Sequence, residues 1–233
     1  MSTVNGSSSS TLSDTDLRAD ARRNRERVLA AARDVFVELG SDAPLDEVAR
    51  RAGVGIATLY RRFPDRESLM RAVAIDVLAR AGDEARRAHA EESDAFAGLA
   101  RYMHRALDLR ISAVMPALLG QISFEDDEIR GAREAAVEPV LRLVDDAHAE
   151  GTLRPDVAFG DIGTLLVRLS RPLPGDFPAG VDASLAHRHL ELFIEGLRVD
   201  AGGASSRPLP GDRLELADLR AIAAERRAAP EVR

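Results

Sequence analysis

The sequence contains no cysteine and no lysine, so arginine is its only strongly basic residue. Without cysteine, neither a disulfide framework nor a thiolate zinc site can form, and a reducing compartment fits the composition. No stretch approaches the length of a membrane-spanning helix, and the first residues lack the basic start and apolar run of a signal peptide. We therefore expect a soluble, cytoplasmic protein with no membrane partner.

The net charge of -7 at first argues against nucleic acid, because DNA repels acidic surfaces. The charge is unevenly distributed, since residues 18–71 hold twelve arginines against nine acids, about +3. Arginine suits bidentate contacts to phosphate and guanine, although a bias in genomic base composition is the better explanation of the absent lysine. One basic segment thus accompanies an acidic remainder, and 45% hydrophobic residues are enough to fill a core.

Helical periodicity dominates the chain. Apolar residues recur every three or four positions over 18–39 and 45–52, and Gly40 and Gly53 follow the two runs. A short third helix is predicted in IATLYRRF, and Pro64 separates it from a long run that starts at Arg66. Further helices are predicted over 93–109, 111–121, 127–150, 158–171 and 182–200, and the second half of 201–233 contains one more short amphipathic helix. Because no segment is typical of a strand, we expect an all-α fold.

The third helix has two different faces. On a helical wheel, Ile56, Leu59 and Phe63 fall on one side with Tyr60 at its edge, so this side should face the core. The opposite arc is small, hydroxylated and cationic, and consists of Ala57, Thr58, Arg61 and Arg62. Such residues suit a major groove, but the octapeptide alone fits an ordinary amphipathic helix with solvated arginines better. The preceding helix and its glycine turn change that balance and predict a helix-turn-helix at about 44–63.

The run LDEVARRAGVGIATLYRRFPDRESLMRAV resembles the signature of the TetR family, and RERVLAAARDVFVELG resembles that family's first helix. The resemblance covers about residues 22–75. It implies a three-helix helix-turn-helix domain at the N-terminus and a larger helical domain that dimerises and binds a small molecule. The implied domains are a disordered tail at 1–17, a DNA-binding domain at 18–66, an effector and dimerisation domain at 67–200, and a tail with a short helix at 201–233.

The resemblance also assigns roles to residues. Tyr60 matches a tyrosine that contacts phosphate, and Arg66 matches a basic residue that holds the DNA backbone. The residues expected to bind DNA are Gly55, Ala57, Thr58, Tyr60, Arg61, Arg62 and Arg66. Pro44 and Leu45 replace threonines that cap the second helix in many members, and Gly55 replaces a common Ser or Thr, so fewer hydroxyl contacts to phosphate are expected. Pro44 can still open a helix as its first residue.

The sequence of the larger domain indicates less about function than that of the helix-turn-helix. An apolar run with two methionines suggests effector contacts, although most of its residues fit a core equally well. The effector candidates are Met103, His104, Leu107, Met115 and Phe124. The predicted dimer interface, whose helices could also be buried within one subunit, comprises Leu165, Leu166, Leu169, Leu190, Phe193 and Leu197. We expect no metal and no cofactor, because His187 and His189 point in different directions and the acid-rich FEDDEIR fits a solvated helix start.

The functional prediction is a homodimeric repressor that binds a palindromic double-stranded DNA operator and is released by an unknown small-molecule effector. An activator or a ligand-independent DNA binder of the same fold is the first alternative. An all-helical enzyme is the second, and it is disfavoured because the sequence shows no catalytic constellation. We therefore do not expect an enzyme.

Overall fold

The computed structural model describes residues 14–118, 122, 126–175, 178–199 and 207–228. Their ten helices are α1 (Asp14–Leu39), α2 (Leu45–Ala52), α3 (Ile56–Arg62), α4 (Arg66–Glu91), α5 (Ala95–Asp108), α6 (Ile111–Leu118), α7 (Asp127–Ala149), α8 (Phe159–Leu169), α9 (Ala179–Leu197) and α10 (Leu216–Ala228). The described residues contain no β-strand, only an isolated bridge between Leu153 and Arg198. The predicted all-α fold is confirmed.

Helix boundaries differ from the predicted ones at a few places. Helix α1 begins at Asp14, so residues 14–17 are helical rather than part of a disordered tail. The segment DTDLRAD contains neither glycine nor proline, and therefore nothing in it breaks a helix. Residues 1–13, where the rest of that tail was predicted, lie outside the described residues. Pro44 occupies the N-cap of α2 instead of its first helical position, and no side chain caps this helix.

The chain divides into two compact units, residues 1–73 and 74–233. The first two turns of α4 belong to the N-terminal unit, where they bury Leu69, Met70 and Val73. The predicted boundary after Arg66 therefore lies too early. In this unit α1 packs against α2 through the predicted apolar stripe, and Phe36 is completely buried. This core gives α3 a fixed surface on which to rest.

The C-terminal unit is built around α5, which packs against α7, α8 and α9. Its core includes Phe96, Leu99, Met103, Leu107, Leu143, Val144, Ile162, Leu166, Leu190 and Ile194. Gly98 lets α5 approach α7 closely, because a Cβ on Gly98 would lie 2.9 Å from the side chain of Leu143 in α7. Pro139 lies inside α7, and the helix runs through it from Asp127 to Ala149.

The segment that follows residue 206 is held on the C-terminal unit. The Gly160 amide donates to Leu214 O at 2.7 Å, and the Leu209 amide donates to Asp156 Oδ2 at 2.8 Å. Arg154, which is 7% exposed, binds Asp156 through two nitrogens and donates to Arg207 O. The Arg154 guanidinium and the Leu209 amide hold the pKa of the Asp156 carboxyl well below its usual range. These contacts hold residues 207–215, a strap, against the C-terminal unit.

Candidate nucleic-acid interface

A three-residue turn joins α2 to α3. Gly53 has φ +65°, a left-handed conformation that favours glycine, and its amide and that of Val54 bond to the last carbonyls of α2. Gly55 then caps α3 in an extended conformation, and the Thr58 amide donates to Gly55 O at 2.9 Å. The turn therefore reverses the chain sharply and starts α3 without a side-chain cap. This arrangement is a helix-turn-helix.

Helix α3 is anchored by one side. Leu59 is fully buried and Phe63, at the C-cap, is 6% exposed, whereas Ile56 is only half-buried although the wheel placed it in the core. The predicted DNA-facing arc is accessible: Ala57, Arg61 and Arg62 are exposed, Thr58 is half-buried and Gly55 is exposed. Tyr60 is 48% exposed, which leaves its hydroxyl free to reach outwards from the edge of the helix. The structure thus brings the α3 candidates onto one surface.

Arginines on α2 and α3 have different surroundings. Arg50 and Arg51 bind the carboxylate of Glu47 at 2.7–2.8 Å, and Arg51 also binds Glu38. These hydrogen bonds lower the pKa of Glu47 to about 2, and the two arginines share its carboxylate. By contrast, Arg61 and Arg62 have no carboxylate partner anywhere in the described chain. The positive charge of α3 therefore remains available to an external anion.

Arg66 occupies a different position from the one that the family resemblance implied. Its Nη1 donates to Ser41 O at 2.7 Å and to Ala43 O at 2.8 Å, and the residue is half-buried. Pro44 has no amide proton, so this loop is short of backbone donors. The Arg66 guanidinium supplies hydrogen-bond donors to the loop carbonyls and holds the loop that precedes α2. Arg66 thus positions α2, through contacts between segments too far apart for periodicity to reveal.

The described apolar effector candidates lie in two different clusters. Met103 and Leu107 are buried in the core of the C-terminal unit, at 1% and 9% exposure. Met115 instead packs beside a separate small cluster formed by Leu78, Ala81 and Ala136. Phe124 lies outside the described residues. The alternative that these residues form core therefore holds for Met103 and Leu107.

His104 belongs to a polar cluster between α5 and α9. Its Nδ1 lies 2.8 Å from His187 Nδ1, and the two rings are nearly parallel, with centroids 5.1 Å apart. His187 Nε2 contacts Asp108 Oδ1 at 3.0 Å, while His104 Nε2 lies 2.9 Å from Glu191 Oε1 but out of line for a hydrogen bond. One ring must donate through Nδ1 and the other must accept, so the two imidazoles differ in protonation pattern. Partners more than 75 residues apart left no sequence signal for this cluster.

No group of three or more His, Cys, Asp or Glu side chains among the described residues could hold a metal ion. Within the same part of the chain, no helix is both long enough and apolar enough to cross a membrane.

The predicted dimer residues divide into three groups. Leu166 and Leu190 are 4% and 0% exposed and pack into the core of their own subunit, so their assignment to an interface is wrong. Leu165, Leu169 and Leu197 are half-buried against the same core. Phe193 is 47% exposed. Periodicity identified apolar helix faces but not which face the subunit itself covers.

Two family models together match most of the chain. A model for bacterial regulatory proteins of the tetR family matches residues 28–73, and a model for the C-terminal domain of SbtR-like transcriptional regulators matches residues 87–199. The structure of the TetR transcriptional regulator SCO0520 from Streptomyces coelicolor is similar at 32% identity and TM-score 0.56, over 76% of this chain and 99% of that one. The chain belongs to the TetR family. It is a DNA-binding transcriptional regulator and not an enzyme.

Other TetR regulators define how far the likeness extends. The regulator from Mycobacterium vanbaalenii is 35% identical with TM-score 0.57, over 78% of this chain and 99% of that one. LfrR from Mycobacterium smegmatis, solved in complex with proflavine, shares the fold at 21% identity and TM-score 0.55, over 81% and 99% of the two chains. The curated regulator SrpR of Pseudomonas putida is 43% identical over 56 residues, which are 24% of this chain and 26% of SrpR. The chain thus matches about a quarter of the length of that relative.

Proposed function

We propose that this TetR-family regulator is a homodimeric repressor that binds a palindromic operator and leaves it when a small-molecule effector binds. The observation that carries the proposal is the exposed arc of α3, on which Arg61 and Arg62 have no carboxylate partner in the described chain. Ala57 beside them lets the helix approach the floor of a major groove, where arginine can bind guanine O6 and N7. Helix α3 is therefore the recognition helix.

Contacts to the DNA backbone surround this arc. Tyr60 is half-exposed and can place its hydroxyl on a phosphate while its ring packs inwards. Gly55 and Thr58 lie at the start of α3, where small residues and a hydroxyl allow close approach to a strand. Arg66 supports this surface from behind through the Ser41 and Ala43 carbonyls. Its other guanidinium nitrogens remain for the phosphate contact that the family resemblance implies.

Dimerisation is assigned to α9, which has a second apolar stripe besides the one in the core. Val181, Leu192 and Phe193 are 46%, 67% and 47% exposed. Together with the exposed Gly196, they fall within an arc of about 120° on the helix, and this arc also contains Asp182 and His189. Such a stripe costs free energy in water and is stabilised by a partner across a twofold axis. Leu165 and Leu169 of α8 are half-buried and are the proposed contacts from that helix. Sedimentation velocity of the full chain measures the assembly.

The effector acts through the C-terminal unit, where Met103, His104, Leu107 and Met115 are the proposed contacts. Met103 is 1% exposed, so an effector that reaches it must displace side chains now packed there. If the state with displaced side chains binds the operator poorly, a ligand that prefers this state weakens operator binding. By thermodynamic reciprocity, the operator then weakens ligand binding by the same factor. The complex of the similarly folded LfrR with proflavine supports proflavine as a first compound to try. Thermal shift with proflavine is the first test of this part.

The experiment for the DNA-binding role starts from fragments of the source genome that the full chain retains. Binding of a selected fragment is then compared for Arg61→Ala/Arg62→Ala and for a matched control, Arg86→Ala/Arg87→Ala. The control also removes adjacent helical arginines, but these pair with Asp83 and Glu84. We expect the α3 variant to lose roughly 1 to 3 kcal/mol for each base contact removed. Equal binding by both variants would show that α3 is not the recognition helix.

A reporter gene placed behind the selected operator tests repression. Deletion of the regulator should raise expression, whereas a fall in expression would show activation instead.

A further inference from the structure

A concave groove lies beside the recognition helix, within the N-terminal unit. Its volume is about 220 Å³, and it is bordered by α1 on one side and by the α2–α3 turn and α3 on the other. The lining residues are Ala21, Asn24, Arg25, Val28, Val54, Thr58, Arg61 and Arg62. Three of the eight are arginines and none is acidic. The groove is therefore a concentrated positive site.

The arginine from α1 differs from its neighbours on that helix. Arg22 lies 3.9 Å from the carboxylate of Glu26, Arg23 pairs with Asp20, and Arg27 donates to Asn24. Arg25 has no such side-chain partner among the described residues. It shares this property with Arg61 and Arg62, the other two arginines of the groove. Unneutralised guanidinium groups from two helices thus converge on one concavity, which favours an anion.

The other lining groups fit an anion with several oxygens. The Oδ1 of Asn24 already accepts from Arg27, so its amide nitrogen is left to donate. Thr58 adds a hydroxyl, and Ala21 and Val28 are short enough to leave room for a sugar. Guanidinium groups bind phosphate oxygens through two parallel hydrogen bonds. The lining residues of the groove therefore suit a bound phosphodiester group.

We propose that this groove holds a backbone phosphate of the bound DNA, with Arg25 of α1 as a phosphate-binding residue outside the helix-turn-helix. The inference rests on the proposed DNA-binding role of α3, because Thr58, Arg61 and Arg62 border both the groove and the recognition surface. A duplex whose major groove receives α3 places the flanking strand against α1. Arg25 then fixes the register of the recognition helix without contacting a base.

The test compares Arg25→Gln with Arg22→Gln in the full-length protein. Both changes remove one guanidinium charge from α1, three residues apart, but Arg22 is already paired and its side chain is 74% exposed. Dissociation constants are measured for the selected operator and for a scrambled duplex over a range of salt concentrations. Arg25→Gln should weaken both duplexes by the same factor, about tenfold at low salt, and make the salt dependence shallower by about one contact. Arg22→Gln should remain within about twofold of wild type.

A third variant, Arg25→Lys, separates charge from structure. It should recover most of the lost affinity, whereas a purely structural role of Arg25 would not be rescued by a lysine. Circular dichroism melting shows whether Arg25→Gln folds like wild type; if it does not, the Arg25→Lys salt dependence decides the question, because a retained phosphate contact keeps the wild-type slope.

Three results would overturn the inference. If Arg25→Gln binds both duplexes like Arg22→Gln, the groove holds no phosphate. If it weakens the operator but spares the scrambled duplex, Arg25 contacts a base. If Arg25→Lys folds normally but binds as weakly as Arg25→Gln, the side chain is structural. In each case, loss of operator binding by Arg61→Ala/Arg62→Ala leaves the proposed function standing, so the two failures are distinguishable.

Discussion

Both units pair many of their arginines with nearby carboxylates, and the N-terminal unit in addition gathers at one groove three arginines that are unpaired among the described residues. On the C-terminal helices arginine is repeatedly paired with a carboxylate one turn away, as in Arg80 with Asp76, Arg86 with Asp83 and Arg142 with Glu138. In the N-terminal unit, Arg25, Arg61 and Arg62 are unpaired within the described chain and meet at one groove. Net charge therefore says little about binding to DNA, because what matters is where guanidinium groups lack a local partner.

The two units also differ in what they leave exposed. The C-terminal unit exposes Val181, Leu192 and Phe193 on one helix, which fits a contact with another apolar surface. The N-terminal unit exposes small and cationic residues on α3, which fit a charged and polar groove. The surface proposed for assembly is therefore chemically different from the surface proposed for DNA.

The largest effect should follow from disrupting assembly without touching the DNA-binding unit. Leu192→Glu/Phe193→Glu places two charges on the exposed stripe of α9, where they do not disturb the subunit core. We expect a monomer by sedimentation velocity, with helical circular dichroism retained. Because two half-sites must be engaged together, operator affinity should fall by roughly a hundredfold or more through lost effective concentration.

A matched control for this change is Ile222→Glu on α10, which is 54% exposed and lies off the stripe. It should leave both assembly and operator affinity unchanged. A double variant of α9 that stayed dimeric would contradict the assignment of the dimer interface to α9.

Much of the N-terminal unit could be predicted from the sequence because its defining contacts are local. The turn at Gly53, the core position of Leu59 and the exposed arc of α3 all follow from residues within about ten positions of one another. The groove could also have been found, since Ala21, Arg25 and Val28 follow helical spacing along α1.

Contacts between distant segments could not be predicted in this way. His104 meets His187 across 83 positions, and Arg66 reaches two carbonyls more than 20 residues earlier. Leu166 and Leu190 belong to genuine apolar stripes, but periodicity does not reveal that their own subunit buries them. The C-terminal unit depends on such distant contacts, which periodicity alone does not reveal.

A pair of glycine substitutions tests whether the two units are independent. A Cβ on Gly160 would lie 2.3 Å from Leu214 O, so Gly160→Ala must push the strap 207–215 away from α8. We expect a loss of about 1 to 3 kcal/mol in unfolding free energy and faster hydrogen exchange at Leu214. Operator affinity per dimer should not change if the DNA-binding unit is unaffected.

Gly163→Ala is the control for that change, because it lies on the same helix and a Cβ there meets nothing within 4 Å. Replacing a helical glycine by alanine should stabilise the protein by roughly 0.5 to 1 kcal/mol. Opposite signs for two glycines three residues apart would locate the effect in the strap contact. Equal shifts of either sign would rule out that contact as the cause.

The smallest expected effect concerns the paired arginines of α2. Glu47→Gln removes the carboxylate that binds Arg50 and Arg51, leaving Arg50 without its ion-pair partner while Arg51 keeps Glu38. If unpaired guanidinium groups determine DNA affinity, the variant should bind scrambled DNA a few-fold more tightly, most clearly at low salt.

The wild-type carboxyl of Glu47 should titrate near its pKa of about 2 in a carboxyl NMR titration, below the ordinary 4.5. Because the folded-state pKa is lowered, the ion pair contributes its stability above about pH 4.5 and loses it as the pH falls towards 2. Glu47→Gln should therefore flatten the acid side of the stability profile within that window. A wild-type titration midpoint near 4.5 would mean that Arg50 and Arg51 do not stabilise the Glu47 carboxylate.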